Sequence, residues 1–96
     1  MSAVRVAVGT VELHLSDVGS LKAKRRVLKG LKEKVRHRFE VAVAEVDYHD
    51  SWQRATVAVG CLSHDSRHAN EVVSKAVGFI ESLVSGHVID VQIEIL

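Results

Sequence analysis

Apolar and polar positions alternate over Val4 to Leu15 with period two, which predicts a strand. Val4, Val6 and Val8 take one parity; Val11, Leu13 and Leu15 take the other. The apolar side therefore switches near Gly9, which predicts a bulge there or a strand buried on both faces. From Ser20 to Phe39 the period lengthens. Leu21, Val27, Leu28, Leu31, Val35 and Phe39 gather on one side at about 100° per residue, the stripe of a helix packed on a core. Ser20 is placed to cap it, while Ala23 occupies the position where a glutamate would complete a capping box. Gly30 falls mid-helix, where glycine costs roughly 1 kcal/mol relative to alanine, and close backbone packing would explain it.

Alternation returns over Phe39 to Tyr48 and over Trp52 to Leu62, separated by the polar loop His49-Asp50-Ser51. In the later strand Val57, Val59 and Cys61 share one parity, and the opposite parity is small: Thr56, Ala58 and Gly60. Asp65 or Ser66 then caps a second helix, roughly Arg67 to Val84, whose apolar row runs from Ala69 to Val84 at i, i+3, i+4 spacing. Gly86 suits its C-terminal cap. A final strand sends Ile89, Val91, Ile93 and Ile95 inward and Asp90, Gln92 and Glu94 outward. The order β-α-β-β-α-β predicts an α+β ferredoxin-like sandwich, a four-stranded antiparallel sheet with both helices on one face. Its open face would carry Glu12, His14, Thr56, Ala58, Gly60, Asp90, Gln92 and Glu94.

Ninety-six residues suit one domain, residues 1–96, and 47% hydrophobic content with no proline makes it globular. The net charge is only +1, yet the basic charge is concentrated. Nine of the 13 Lys and Arg residues lie between Ser20 and Phe39: Lys22, Lys24, Arg25, Arg26, Lys29, Lys32, Lys34, Arg36 and Arg38. Lys22, Arg25, Lys29, Lys32 and Arg36 form one continuous row beside the apolar stripe, with Arg26 at its edge. Such like-charge stacking opposes the helix by a few tenths of a kcal/mol per pair, and cations in the first turn oppose its dipole. A local cost without a local gain marks a functional surface, here one for a polyanion; the bland alternative is a solvated face. Lys24 lies nearer the apolar side, where its stem can cover the core.

The other candidates are weaker. RNA-reading sheets of this topology stack bases on aromatics in their central strands, and here the first strand has none and the third has none after Trp52. Nucleic acid would therefore be held by phosphates on the basic helix, with little sequence readout. The loop Glu45 to Arg54 holds the only Trp and the only Tyr. Either Trp52 folds over the hairpin while Arg54 pairs with Asp47 or Asp50, or Trp52, Asp47 and Arg54 meet a protein partner. The open sheet face and this hairpin would then serve a homodimer. His64 and His68 stand at i, i+4 without an evident third ligand, so no metal is expected. Cys61 alternates with valines and reads as a small buried hydrophobe; being the only cysteine, it excludes an internal disulfide and suits a reducing cytoplasm. The start MSAVRVAVG is too short and too charged for a signal peptide or membrane span. No Gly-rich phosphate loop and no nucleophile elbow is present. A small acyl-phosphate hydrolase can share this fold, but Ser16-Asp17-Val18-Gly19 lacks the arginine its anion loop needs. Neither an enzyme nor a cofactor is indicated.

Val11 to Leu15 (VELHL), Ser20 to Phe39 (SLKAKRRVLKGLKEKVRHRF), Val43 to Val59 (VAEVDYHDSWQRATVAV) and Ser63 to Val73 (SHDSRHANEVV) resemble the bacterial YlxP-like family, a domain of unknown function. The likeness spans almost the whole chain, and Ala23 departs from the glutamate usual at that helix start. The resemblance implies the ferredoxin-like fold and no established activity. Family genes often neighbour those of translation initiation factor 2 and ribosome-binding factor A, which implies a connection to the ribosome. It transfers no catalytic residue.

Overall fold

The computed structural model describes residues 4–84 and 86–96. Its elements follow the expected order: β1 (Arg5–His14), α1 (Leu21–Arg38), β2 (Ala42–Asp47), β3 (Arg54–Ser63), α2 (Ser66–Leu83) and β4 (His87–Ile95). The strands form one antiparallel sheet in the order β2-β3-β1-β4, with both helices on one side. This is the ferredoxin-like α+β arrangement that the alternation of periods predicts. Among the described residues no helix is long and apolar enough to cross a membrane.

The core lies between the central strands and the helices. Ala7, Val11 and Leu13 of β1 and Ala55, Val57, Val59 and Cys61 of β3 face Leu28, Leu31 and Val35 of α1 and Val73, Ala76, Val77 and Ile80 of α2. Cys61 is buried among them, as its alternation implied. Neither edge strand contributes a fully buried side chain.

Gly9 corrects the reading of β1. There is no bulge at Gly9, since β1 pairs with β3 without interruption from Arg5↔Ser63 to His14↔Arg54. Odd-numbered residues face the helices throughout, and Val6 and Val8 lie on the open face. Gly9 serves close approach. A Cβ there would sit 2.7 Å from Cγ1 of Val73 and 3.0 Å from Cγ2 of Val77, both on stiff β-branched side chains. The irregularity of β1 occurs instead against β4, between Glu12 and Leu13, where Ile89 is the extra residue.

Both helix starts are capped as expected. Ser20 Oγ accepts from the Ala23 amide at 3.0 Å, and Asp65 Oδ1 accepts from the Arg67 amide at 3.0 Å. At the other end of α2 the cap is Val84 in extended conformation, not Gly86. Gly86 passes so close to β1 that a Cβ would lie 1.5 Å from the His14 carbonyl oxygen. Close backbone packing does not explain Gly30, because a Cβ there would meet nothing within 4 Å.

Strand β4 departs from its pattern in degree. Val91, Ile93 and Ile95 pair with Val11, Gly9 and Ala7 and so face the helix side, yet with Ile89 they stay 37–45% exposed. The reason is the placement of the helices: α2 lies mainly over β1 and β3, and α1 packs on β2 and α2.

Candidate nucleic-acid interface

Helix α1 separates its charges by depth. Leu28, Leu31 and Val35 fix its rotation by filling the core, and that rotation turns the basic row outward. Lys22, Arg25, Arg26, Lys29 and Arg36 are exposed and Lys32 is half-buried. Among the described residues the ion pairs are Lys24–Glu45, Arg54–Glu12 and Lys75–Glu71, so no side chain of the row is neutralised by a carboxylate. The contact that orders one of them is within the helix, where Arg36 Nε donates to the Lys32 carbonyl at 3.3 Å. Arg36 gains from the helix dipole near the C-terminus, whereas Lys22, in a first turn without acids, opposes it.

Lys24 leaves this set. It is 1% exposed, its Nζ lies 2.9 Å from Glu45 Oε2, and it donates to the Tyr48 carbonyl at 2.5 Å. Its ammonium is thus buried along with the stem. Register explains the partner: Glu45 lies opposite Val57, so it faces the helix side of β2. Tyr48 aims its carbonyl at Lys24 by adopting φ 62, a left-handed conformation that side chains rarely take.

Beside the row, Arg26, Val27, Gly30, Leu31 and Lys34 form a groove with Leu83 and Val84, of about 270 Å³. Val27, expected in the core stripe, is 41% exposed there. Arg26 and Lys34 stand one turn either side of Gly30, whose missing side chain keeps the groove open. Lys34 was outside the row read from the sequence; its i+4 spacing from Gly30 was the available signal.

The hairpin residues do not meet as expected. Arg54 pairs with Glu12, not with Asp47 or Asp50, and its guanidinium sits 4.3 Å from the Tyr48 ring centroid. Glu12 lies opposite Thr56 and His14 opposite Arg54, so Glu12 and Arg54 are diagonal neighbours on the open face. Asp47 instead accepts from the Tyr48 amide at 2.7 Å. Trp52 does not fold over the hairpin; it is 55% exposed. His64 lies in the bend before α2 and His68 in its first turn, so helical spacing does not join them. Among the described residues no three His, Cys, Asp or Glu side chains converge on a metal position.

The open face divides in two. Thr10, Glu12, Asp47, Tyr48, Thr56, Asp90 and Gln92 line a polar, acidic half, and Val8, Ala42, Ala44, Ala58 and Gly60 line a shallow apolar half. The acids of the polar half, Glu12, Asp47 and Asp90, lie on the sheet side opposite the helices, while α1 carries one exposed acid, Glu33, among its nine Lys and Arg residues.

Residues 6–93 match the family described as protein of unknown function (DUF503). The chain belongs to this family. It is also 34% identical over 71 residues to the uncharacterized protein YlxP of Bacillus subtilis (strain 168), covering 74% of this chain and 77% of that one. Family membership brings no catalytic assignment. Among solved structures, the de novo designed protein Foldit4 aligns with a TM-score of 0.58 at 16% identity, covering 98% of this chain and 97% of that one. The de novo designed protein Ferredog-Diesel aligns with a TM-score of 0.52 at 8% identity, covering 98% and 86%. At these identities the likeness concerns the fold alone.

Proposed function

We propose that this family member is a non-catalytic cytoplasmic protein that binds RNA, as a free strand or within a ribosomal particle. Lys22, Arg25, Lys29, Lys32 and Arg36 of α1 contact the phosphates and Arg26 extends the row toward the Gly30 groove. The carrying observation is that six cations lie along one helix surface and that, among the described residues, no carboxylate is paired to any of them. A row of this kind loses little on meeting a polyanion, because no internal ion pair must be broken first, and released counterions drive association. Lys34 and Arg26 flank an apolar floor where one nucleotide can leave the backbone track.

The test is binding of a ribosomal RNA fragment across a salt series. Six phosphate contacts predict a slope of log K against log salt of about −4. Lys29→Glu/Lys32→Glu is expected to flatten that slope by roughly two contacts and to weaken binding at every salt concentration. Weak, salt-insensitive binding shared by wild type and variant refutes the proposal.

A second reading has its own observation, the 55% exposure of Trp52 at the hairpin tip. An exposed indole beside the open sheet face suits an anchor for a protein partner, including a second copy. Trp52→Ala separates the two readings, since it removes the anchor and leaves the basic row untouched.

A further inference from the structure

The two edges of the sheet are finished differently. Strand β2 is six residues long and is interrupted by a register shift between Glu45 and Asp47. Shortness and irregularity are usual ways of blunting an edge. Strand β4 is nine residues long, and its one irregularity, at Ile89, lies near its beginning. From Asp90 to Leu96 it runs straight beside β1, with no lysine, arginine or proline to discourage a further strand. Its helix-side residues Val91, Ile93 and Ile95 are 37–45% exposed and Leu96 is 67% exposed.

The backbone direction of this segment follows from one bond. Leu96 donates its amide to the Val6 carbonyl at 2.7 Å. Even-numbered residues here turn their amides and carbonyls to β1, and Val91, Ile93 and Ile95 turn theirs outward. An antiparallel copy of the same strand meets this edge in a small set of registers, and charge decides among them. Centring the pair on Gln92 sets Asp90 opposite Glu94 twice, which is unfavourable. Centring it on Val91 draws in the bulged Ile89. Centring it on Ile93 avoids both. Ile93 then faces its own symmetry mate, Val91 faces Ile95, Gln92 faces Glu94 and Asp90 faces Leu96. Each carboxylate meets an amide or an aliphatic side chain directly, and the like charges remain diagonal.

We propose that β4 is a self-association edge: two copies pair their 90–96 segments antiparallel about Ile93 and continue the sheet to eight strands. About six backbone hydrogen bonds close the edge, two for each hydrogen-bonded residue pair. The half-exposed aliphatic row becomes continuous across the twofold on the helix side, and the Gln92 amide donates to Glu94 of the second copy on the open side. Such an isologous contact is closed, so it stops at a dimer. The proposal is independent of any anion bound by α1.

Sedimentation equilibrium of the purified chain between about 1 µM and 1 mM tests it. A reversible monomer–dimer equilibrium is expected. Ile93→Lys sets two ammonium groups opposite each other and is expected to weaken the dimer at least about tenfold. Because Ile93 is not in the buried core, the variant should keep the far-UV circular dichroism of the monomer. Gln92 tests the register itself. Gln92→Lys, facing Glu94, strengthens the dimer, and Gln92→Glu weakens it; both effects shrink in high salt. A wild-type chain that stays monomeric throughout overturns the proposal. So does a dimer that survives Ile93→Lys but is lost in Trp52→Ala, which assigns the interface to the hairpin. Gln92 variants that shift the equilibrium in the same direction overturn the register.

Discussion

Removing the charge of Glu45 should harm the protein more than removing that of Lys24 with its stem kept, although the two form one ion pair. Lys24 is 1% exposed and the Glu45 side chain 18% exposed, so water reaches only the carboxylate once its partner is gone. Lys24→Met keeps most of the buried stem and leaves Glu45 and the Tyr48 carbonyl without the ammonium, at a cost of about 1–2 kcal/mol. Glu45→Gln leaves the ammonium buried beside neutral acceptors, which costs about 3 kcal/mol. Lys24→Ala removes three buried methylenes at about 0.8 kcal/mol each and orphans Glu45 as well, which brings it to about 4 kcal/mol. The double variant Lys24→Met/Glu45→Leu removes both charges, fills much the same space and should return to within about 1 kcal/mol of wild type. Urea unfolding at neutral pH reads all four. For a domain of this size each kcal/mol moves the midpoint by about 1 M, with the slope unchanged. If Glu45→Gln proves milder than Lys24→Met, or the double variant is no better than the singles, the pair is not the buried, coupled unit described here.

Gly9→Ala places a methyl group against Val73 and Val77 and should destabilise by about 1–3 kcal/mol in urea, with Val73→Ala in the same chain recovering part of the loss. Gly30→Ala should stabilise by about 0.5–1 kcal/mol, read as a rise in Tm of several degrees, because its Cβ meets nothing and the helix gains. If Arg26, Lys34 and the Gly30 notch hold RNA, that same stabilised variant binds the ribosomal RNA fragment more weakly. Lys75 hydrogen-bonds to the Glu71 carboxyl and holds it below its ordinary value. A carboxylate depressed in the folded state contributes stability above its unfolded pKa and loses it as pH falls through the folded pKa. NMR titration should therefore find the Glu71 midpoint rising toward the ordinary carboxylate value in Lys75→Met, with little change in neutral-pH stability for so exposed a pair.

The change of apolar period from two to 3.6 and back locates every element because it reflects burial of one face, a local property of each segment. The exposed row on α1 was legible for the same reason: once Leu28, Leu31 and Val35 are inward, Lys22, Arg25, Lys29 and Arg36 cannot be. What escaped local reading depends on partners distant in sequence. The burial of Lys24 requires knowing that the register of β2 on β3 turns Glu45 toward the helices. The switch of parity around Gly9 suggested a bulge, because nothing local reveals that Val73 and Val77 press on that strand while Val6 and Val8 line an open face. Arg54 found Glu12 across the sheet, 42 residues away in sequence, and not its neighbours in the hairpin. The alternation of β4 is as clean as that of a buried strand, yet the helix layer stops short of it, and how far a layer extends is not written in any single segment.

A strand that shares a full hydrogen-bond ladder with β1 but buries no side chain completely can leave without emptying the core. The residues packed between β1, β3 and the two helices would keep their neighbours if β4 swung away. Peeling of β4 as far as the bulge at Ile89 is therefore a local opening that this fold permits below the cost of global unfolding. Amides of Asp90, Gln92 and Glu94 should exchange with solvent by this local route, while those of Val57 and Val59 wait for global unfolding.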